Sequence, residues 1–294
     1  MEDVFSVLII GLSVGGMYAL LALGLALVFG ILGFINFAHG ELIAITGYAT
    51  YFLIMSGMPF ILVLVFAVLS AMIGAMAIER IAFRPIRNAY LTTGILTSFG
   101  LEMIIQSSWS NLISPLRLPI KRPDWLIQFW EIGDSGFSTY QGLAIVLTLI
   151  SLIALSLFLK KTTMGLSMQA AAADFPVAQL MGIRANRVIA TAFAISGLLA
   201  GIAAFLWIAQ RGSCDPFMGF NPLIKAFIAL VFGGMSRLSG AVIGGILIGF
   251  IEVGLRTYLP DSAVQFQEPI AYFIVIIILM RWPDGLISVF RKQE

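Results

Sequence analysis

"VLIIGLSVGGMYALLALGLALVFG", residues 7–30, contains no charged side chain. As an α-helix rising 1.5 Å per residue it would be about 36 Å long, enough to cross the ~30 Å hydrocarbon core of a bilayer. A buried helix of a soluble protein has no need of such a run, so the stretch reads as a membrane span. Working outward, eight more apolar runs follow at 36–55, 59–79, 91–113, 140–159, 188–208, 222–235, 240–258 and 266–281. The pattern predicts an all-α, polytopic integral membrane helical bundle of about 8–9 transmembrane helices, forming one transmembrane domain over 1–294. The run at 222–235 is short for a crossing and reads as re-entrant or tilted.

Composition points the same way. The chain is 60% hydrophobic and 11% charged, with a mean hydropathy of +1.02, against roughly 25% charged in soluble domains. A net charge of +2 without a basic run gives no footprint for nucleic acid. The single cysteine, Cys214, allows no internal disulfide. The opening "MEDVFSVLII" is acidic and lacks the basic flank of a cleaved signal, so its apolar run reads as a permanent first span.

Lys and Arg set the orientation, because basic loops stay in the cytoplasm. With nine spans, Arg80, Arg84, Arg87, Lys160, Lys161, Arg184, Arg187, Arg237, Arg281, Arg291 and Lys292 fall on one side. Arg117, Lys121, Arg122 and Arg211 fall on the other. The N-terminus is therefore expected outside and the C-terminus in the cytoplasm. The extracytoplasmic loop, about 114–139, pulls against this with three basic residues; its Trp125 and Trp130 fit an interfacial belt. That loop reads either as a capped connection or as a docking surface for an outside partner.

Small residues recur four apart at Gly11/Gly15, Gly197/Gly201, Gly240/Gly244 and Gly245/Gly249, the spacing that lets membrane helices approach closely. "ALVFG" occurs at 26–30 and again at 229–233, a pattern consistent with an internal repeat.

The basic loop at about 160–187 holds the next signal, "KKTTMGLSMQAAAADFPVAQLMGIRANRVI" at 160–189. Asp174 fits an N-cap, Phe175 and Pro176 the first turn, and Gly182 the C′ position, so 175–181 is predicted to be a short helix. Val177, Leu180 and Met181 share one apolar stripe. A two-turn helix needs packing to persist. From the residues alone, the stripe lies either on the bundle itself or in a partner's groove.

Polar residues inside apolar runs are the remaining signal. Asn36, His39 and Glu41 lie in "GILGFINFAHGELIAITGY", residues 30–48, and His39 is the chain's one histidine. An ionisable group at bilayer depth costs ~3 kcal/mol and normally faces a cavity or a partner. The cluster lines the translocation pathway, or bonds helices together, or lies near the membrane surface at the turn between the first two spans, with Glu41 capping the second helix. The span boundaries favour the surface for Asn36. Thr97, Glu102 and Gln106 on the fourth run are either pathway residues or a polar seam. Glu252 and Arg256 are placed to pair at i, i+4, and Lys225 to snorkel from a span end. No P-loop or H-E-x-x-H occurs, so no catalytic residue and no metal site is expected.

"INFAHGE" at 35–41, "ERIAFRPIR" at 79–87 and "MGLSMQAAAADFPVAQLMGI" at 164–183 resemble the permease subunits of ABC importers of the high-affinity branched-chain amino acid (Leu/Ile/Val) family. "GLLAGIAAFL" at 197–206, "ALVFGGM" at 229–235, "GAVIGG" at 240–245 and "RWPDGL" at 281–286 continue the match in order along nearly the whole chain. Urea and amide permeases share the pattern. The resemblance implies a type II importer-like permease that is not itself an enzyme, in a bacterial-type plasma (inner) membrane. Its partners would be a second homologous permease subunit, two cytoplasmic ATPase subunits carrying ATP and Mg, and an external solute-binding protein, within membrane lipid. No cofactor is expected in this chain. Residues 170–184 would be the ATPase-coupling loop, with contacts from Asp174, Phe175, Ala178, Leu180, Met181 and Gly182. Branched-chain or related amino acids would be the substrates. The alternatives are a urea or short-amide permease, or a stand-alone secondary transporter or channel with an ion site in its bundle. "GGMSRLSG" at 233–240 departs from the family pattern, where a run of small residues carries a Pro, by adding Arg237.

Overall fold

The computed structural model describes residues 2–87, 89–132, 135–235, 237–283, 285 and 286. Arg291 and Lys292 of the basic residues above, with Ser236 and Asp284 of the quoted motifs, lie outside the described residues. The helices are α1 (Glu2–Leu32), α2 (Glu41–Met55), α3 (Phe60–Ile78), α4 (Leu91–Leu112), α5 (Asp124–Ile127), α6 (Thr139–Lys161), α7 (Thr163–Ala173), α8 (Phe175–Leu180), α9 (Ala185–Arg211), α10 (Phe220–Gly233), α11 (Leu238–Tyr258) and α12 (Gln267–Arg281). Each of the nine predicted runs contains a helix, in a polytopic bundle. Among the described residues, six segments, built on α1, α3, α6, α9, α11 and α12, are long and apolar enough to cross a membrane. α2 and α10 have 15 and 14 residues, which is only about 21–23 Å of helix. α4 has the length, but Thr, Ser, Glu, Gln and Asn interrupt it.

The glycine pairs are helix contacts. A Cβ at Gly15 would stand 2.8 Å from Ile246 Cα, and one at Gly245 2.5 Å from Ala19 Cα, so α1 and α11 meet backbone to backbone. Gly240 and Gly244 of the same α11 face Gly233 and Ala229 of α10. Offset by five residues, the two pairs on α11 thus serve two neighbours. On α9, a Cβ at Gly197 would stand 2.7 Å from Ala71 O, and one at Gly201 3.0 Å from Val68 O, which seats α9 on α3.

The loop at 114–139 is folded rather than plain. β1 (Leu118–Pro119) pairs antiparallel with β4 (Ser213–Cys214), and β2 (Phe129–Ile132) with β3 (Ser135–Ser138). Arg122 Nη1 donates to Ala209 O at 2.8 Å and Gln210 O at 2.9 Å, capping the end of α9. Trp125 meets Phe60 edge to face, and a Ser138–Gln141 capping box starts α6. At the opposite end, a π-turn at Glu79–Phe83 extends α3. Arg87 closes it by pairing with Glu79 and bonding Asn186 at the start of α9. The "RWPDGL" segment docks nearby, with Leu286 N donating to Phe232 O at 3.0 Å.

Two expectations about charges fail. Lys225 does not snorkel: its side chain is 4% exposed and bridges Glu252 Oε1 at 2.8 Å and Glu268 Oε1 at 2.9 Å. Glu252 therefore pairs with Lys225, and its Oε2 accepts from Tyr18 OH at 2.8 Å, in place of the expected Arg256. An ammonium in lipid gains more from two carboxylates on neighbouring helices than from reaching for the interface.

Candidate functional site

Two regions hold the residues that the sequence singles out. The first is built on the segment between α1 and α2. After α1 the chain turns at Gly33 and forms a 3₁₀ turn, Phe37–His39, with Asn36 at its N-cap position. That turn is tucked into the bundle. His39 lies against Gly24, eight residues before the end of α1, and against Ser196, eleven residues into α9. Asn36 and His39 are both buried. The surface position favoured for Asn36 is therefore not the observed one, because the polar turn folds inward and α2 begins inside the bundle. Ser196 Oγ donates to Gly24 O at 2.8 Å and sits 3.3 Å from His39 Nδ1. Among the described residues, Asn36 Oδ1 has no hydrogen-bond partner.

Glu41 opens α2, where a carboxylate suits the positive end of the helix. The start of α10 lies beside it: a Cβ on Gly40 would stand 3.0 Å from Gly219 O and 3.1 Å from Leu223 Cβ. Two short helices thus bring their N-termini together inside the protein, the arrangement by which discontinuous helices form solute sites. Glu41 is 0% exposed and Glu102 5%. Gln106 Nε2 donates to Glu41 Oε1 at 2.9 Å and to Glu102 Oε1 at 3.2 Å, so one amide joins both carboxylates. Two turns further along α2, Tyr48 stacks on Trp109 with ring centroids 4.4 Å apart. Glu41 Oε2, Tyr48 OH and Trp109 Nε1 are buried without hydrogen-bond partners among the described residues. Tyr48 and Trp109 were not singled out in the sequence, although Tyr48 lies seven residues from Glu41, on the same helix face. The α2–α4 seam gathers Glu41, Glu102 and Gln106. Thr97, partly buried on α4, lies more than one turn before Glu102.

A cavity of about 570 Å³ lies elsewhere, walled by Tyr18, Tyr140, Trp207, Arg211, Glu252 and Arg256. The Lys225–Glu252–Tyr18 network stands at its edge.

The second region is α8. Asp174 Oδ1 accepts from Val177 N at 3.0 Å, as the N-cap reading requires, and Pro176 occupies the first turn. Gly182 adopts φ +84°, which a Cβ would strain, and ends the helix. The six predicted contact residues divide. Ala178 is 5% exposed, and half-buried Phe175 packs on the core, so these two fasten α8 to the bundle. Leu180, 86% exposed, points outward with Val177 and Met181. Asp174 and Gly182 are exposed at the two ends. α7, which the sequence left as loop, leads into α8 and is held to α6 by Gln169 Nε2 donating to Leu159 O at 2.6 Å.

Residues 7–280 match the family described as "Branched-chain amino acid transport system / permease component". The high-affinity branched-chain amino acid transport system permease protein LivH of Escherichia coli K12 is 32% identical over 95% of this chain and 93% of its own length. BraD of Pseudomonas aeruginosa, named likewise, is 32% identical over 96% and 94%. The fructose import permease protein FruF of Bifidobacterium longum is 25% identical over 90% and 73%. No solved structure matches the chain at a significant level.

Proposed function

This chain belongs to the branched-chain amino acid transport system permease family, as a membrane-embedded permease of an ABC importer, and we propose that it passes branched-chain or related amino acids inward under the drive of separate ATPase subunits. In this reading it pairs with a second permease and receives substrate from an external binding protein. ATP and Mg belong to the ATPases. The N-terminus lies outside, and α8 faces the cytoplasm.

The observation that carries the proposal is the division of α8. Phe175 and Ala178 tie the helix to the bundle, while Val177, Leu180 and Met181 present an apolar stripe outward. A stripe exposed to water is unfavourable by about 25 cal/mol per Å² unless something covers it. An ATPase groove that grips the stripe moves the bundle through the buried pair. Asp174 and Gly182 fix the helix ends and hence its angle. The α2–α4 seam, with Glu41, Glu102 and Gln106, is the proposed pathway station, and Thr97 on α4 and Asn36 and His39 on the turn before α2 are its proposed extensions.

The test is uptake of labelled L-leucine into vesicles holding the permeases, ATPases and binding protein. Leu180→Asp is expected to abolish ATP-driven uptake and ATPase co-purification. Its effect on the thermal stability of the isolated chain should stay within about 0.5 kcal/mol, since the side chain is exposed. Uptake by this chain alone, without ATPase, would instead make it a secondary transporter.

A further inference from the structure

A second cavity lies between α1, α6 and α11 at the end of the bundle that carries α7. It measures about 620 Å³. Its walls include Leu23, Leu152, Leu155, Val242 and Ile243, and its rim carries Lys160 and Arg237. A smaller cavity of about 80 Å³ shares Leu159, Gln169, Arg237 and Leu238 with it and continues under α7 to Ala172.

Neither Lys160 nor Arg237 takes part in an ion pair among the described residues, and both are exposed. Among the described residues, no Asp or Glu lines either cavity. The groove thus combines a long apolar wall on spanning helices with two uncompensated cations at its mouth. Arg237 is also the N-cap residue of α11, so the positive end of that helix adds to the same field. A soluble anion would leave the apolar wall empty, and an apolar chain without a charge would leave the cations unmatched. An amphiphile with an anionic head satisfies both, and basic pockets between membrane helices bind such heads.

We propose that this groove is a binding site for an anionic phospholipid. The phosphate sits between Lys160 and Arg237, and an acyl chain lies along Leu23, Leu155 and Ile243. Because the inner end of the groove is floored by Gln169 and Ala172 of α7, the bound lipid also braces the segment that leads into α8. The site needs no substrate, so it stands apart from the transport reading.

The experiment uses the full chain in nanodiscs of phosphatidylcholine with or without phosphatidylglycerol. Retained lipid is counted by native mass spectrometry, and hydrogen exchange is followed over 163–173. The wild type should retain phosphatidylglycerol in preference to phosphatidylcholine. Lys160→Gln with Arg237→Gln should weaken that retention by about 10- to 100-fold, the loss expected for charge-assisted contacts to one phosphate. Ile243→Trp keeps both charges, fills the groove and should lower retention as well. Exchange over 163–173 should be slower with phosphatidylglycerol in the wild type alone. Equal retention by the wild type and the double variant overturns the site. So does equal retention of the two lipids, or unchanged retention in Ile243→Trp. Exchange that ignores the lipid overturns the bracing of α7.

Discussion

The α1–α11 and α2–α4 interfaces lie in one bundle and are built on opposite principles. Where α1 meets α11, Gly11, Gly15, Gly245 and Gly249 remove side chains, so the helices approach closely, and dispersion holds them together with the Tyr18–Glu252 hydrogen bond. Where α2 meets α4, Glu41, Gln106, Glu102, Tyr48 and Trp109 add polar atoms, several of which find no partner. Helix packing in lipid has no use for unpaired acceptors and donors, since each costs about 1–3 kcal/mol buried. The first interface is scaffold. The second holds capacity that folding leaves unused, as a path for a polar solute requires.

The comparison can be broken from the scaffold side first. Lys225→Met strands Glu252 and Glu268 in the bundle and should cost about 3 kcal/mol, the low end for a broken buried pair because Glu268 is partly exposed. Thermal unfolding of the detergent-solubilised chain measures it, and a second change, Glu252→Gln, should recover part of the loss. Gly249→Leu drives a side chain into the backbone of Gly15 and should cost about 2–3 kcal/mol by overpacking in the same assay. If the bundle tolerates it, α1 and α11 are not the rigid pair described.

The polar seam should respond the other way. Glu102→Gln and Tyr48→Phe keep shape and remove a charge or an unpaired hydroxyl, so stability should stay within about 1 kcal/mol. Leucine uptake by the complete transporter should nevertheless fall about tenfold. Large destabilisation with normal uptake would make this seam scaffold too.

The difference between the interfaces was only partly legible in the sequence. The Gly-x-x-x-Gly pairs could be read because four-residue spacing is a property of one helix, and all four became contacts. α8 was legible for the same reason. Asp174, Pro176 and Gly182 act within a few residues of themselves, so the helix stands at Phe175–Leu180, close to the predicted 175–181. Thr162 caps α7 by accepting from Gly165 N at 3.0 Å, an equally local signal.

Lys225 shows where local reading ends. From the sequence it is a lone cation near a span end. Its partners Glu252 and Glu268 stand 27 and 43 residues away on two further helices. The span boundaries likewise favour the surface for Asn36 and leave His39 open, because no local rule says that a chain leaving α1 will fold back beside Gly24 and Ser196.

The sequence by itself determined the membrane class, the nine helical runs, the small-residue faces and the capped α8, because each rests on hydrophobicity or on spacing within one helix. Only the tertiary structure decided that Gln106 links Glu41 to Glu102 and that Lys225 takes two acids. It also decided that Ala178 faces inward while Leu180 faces out. Those outcomes depend on which helix faces lie opposite one another, and in a chain this uniformly apolar that choice is made by close packing across the whole bundle.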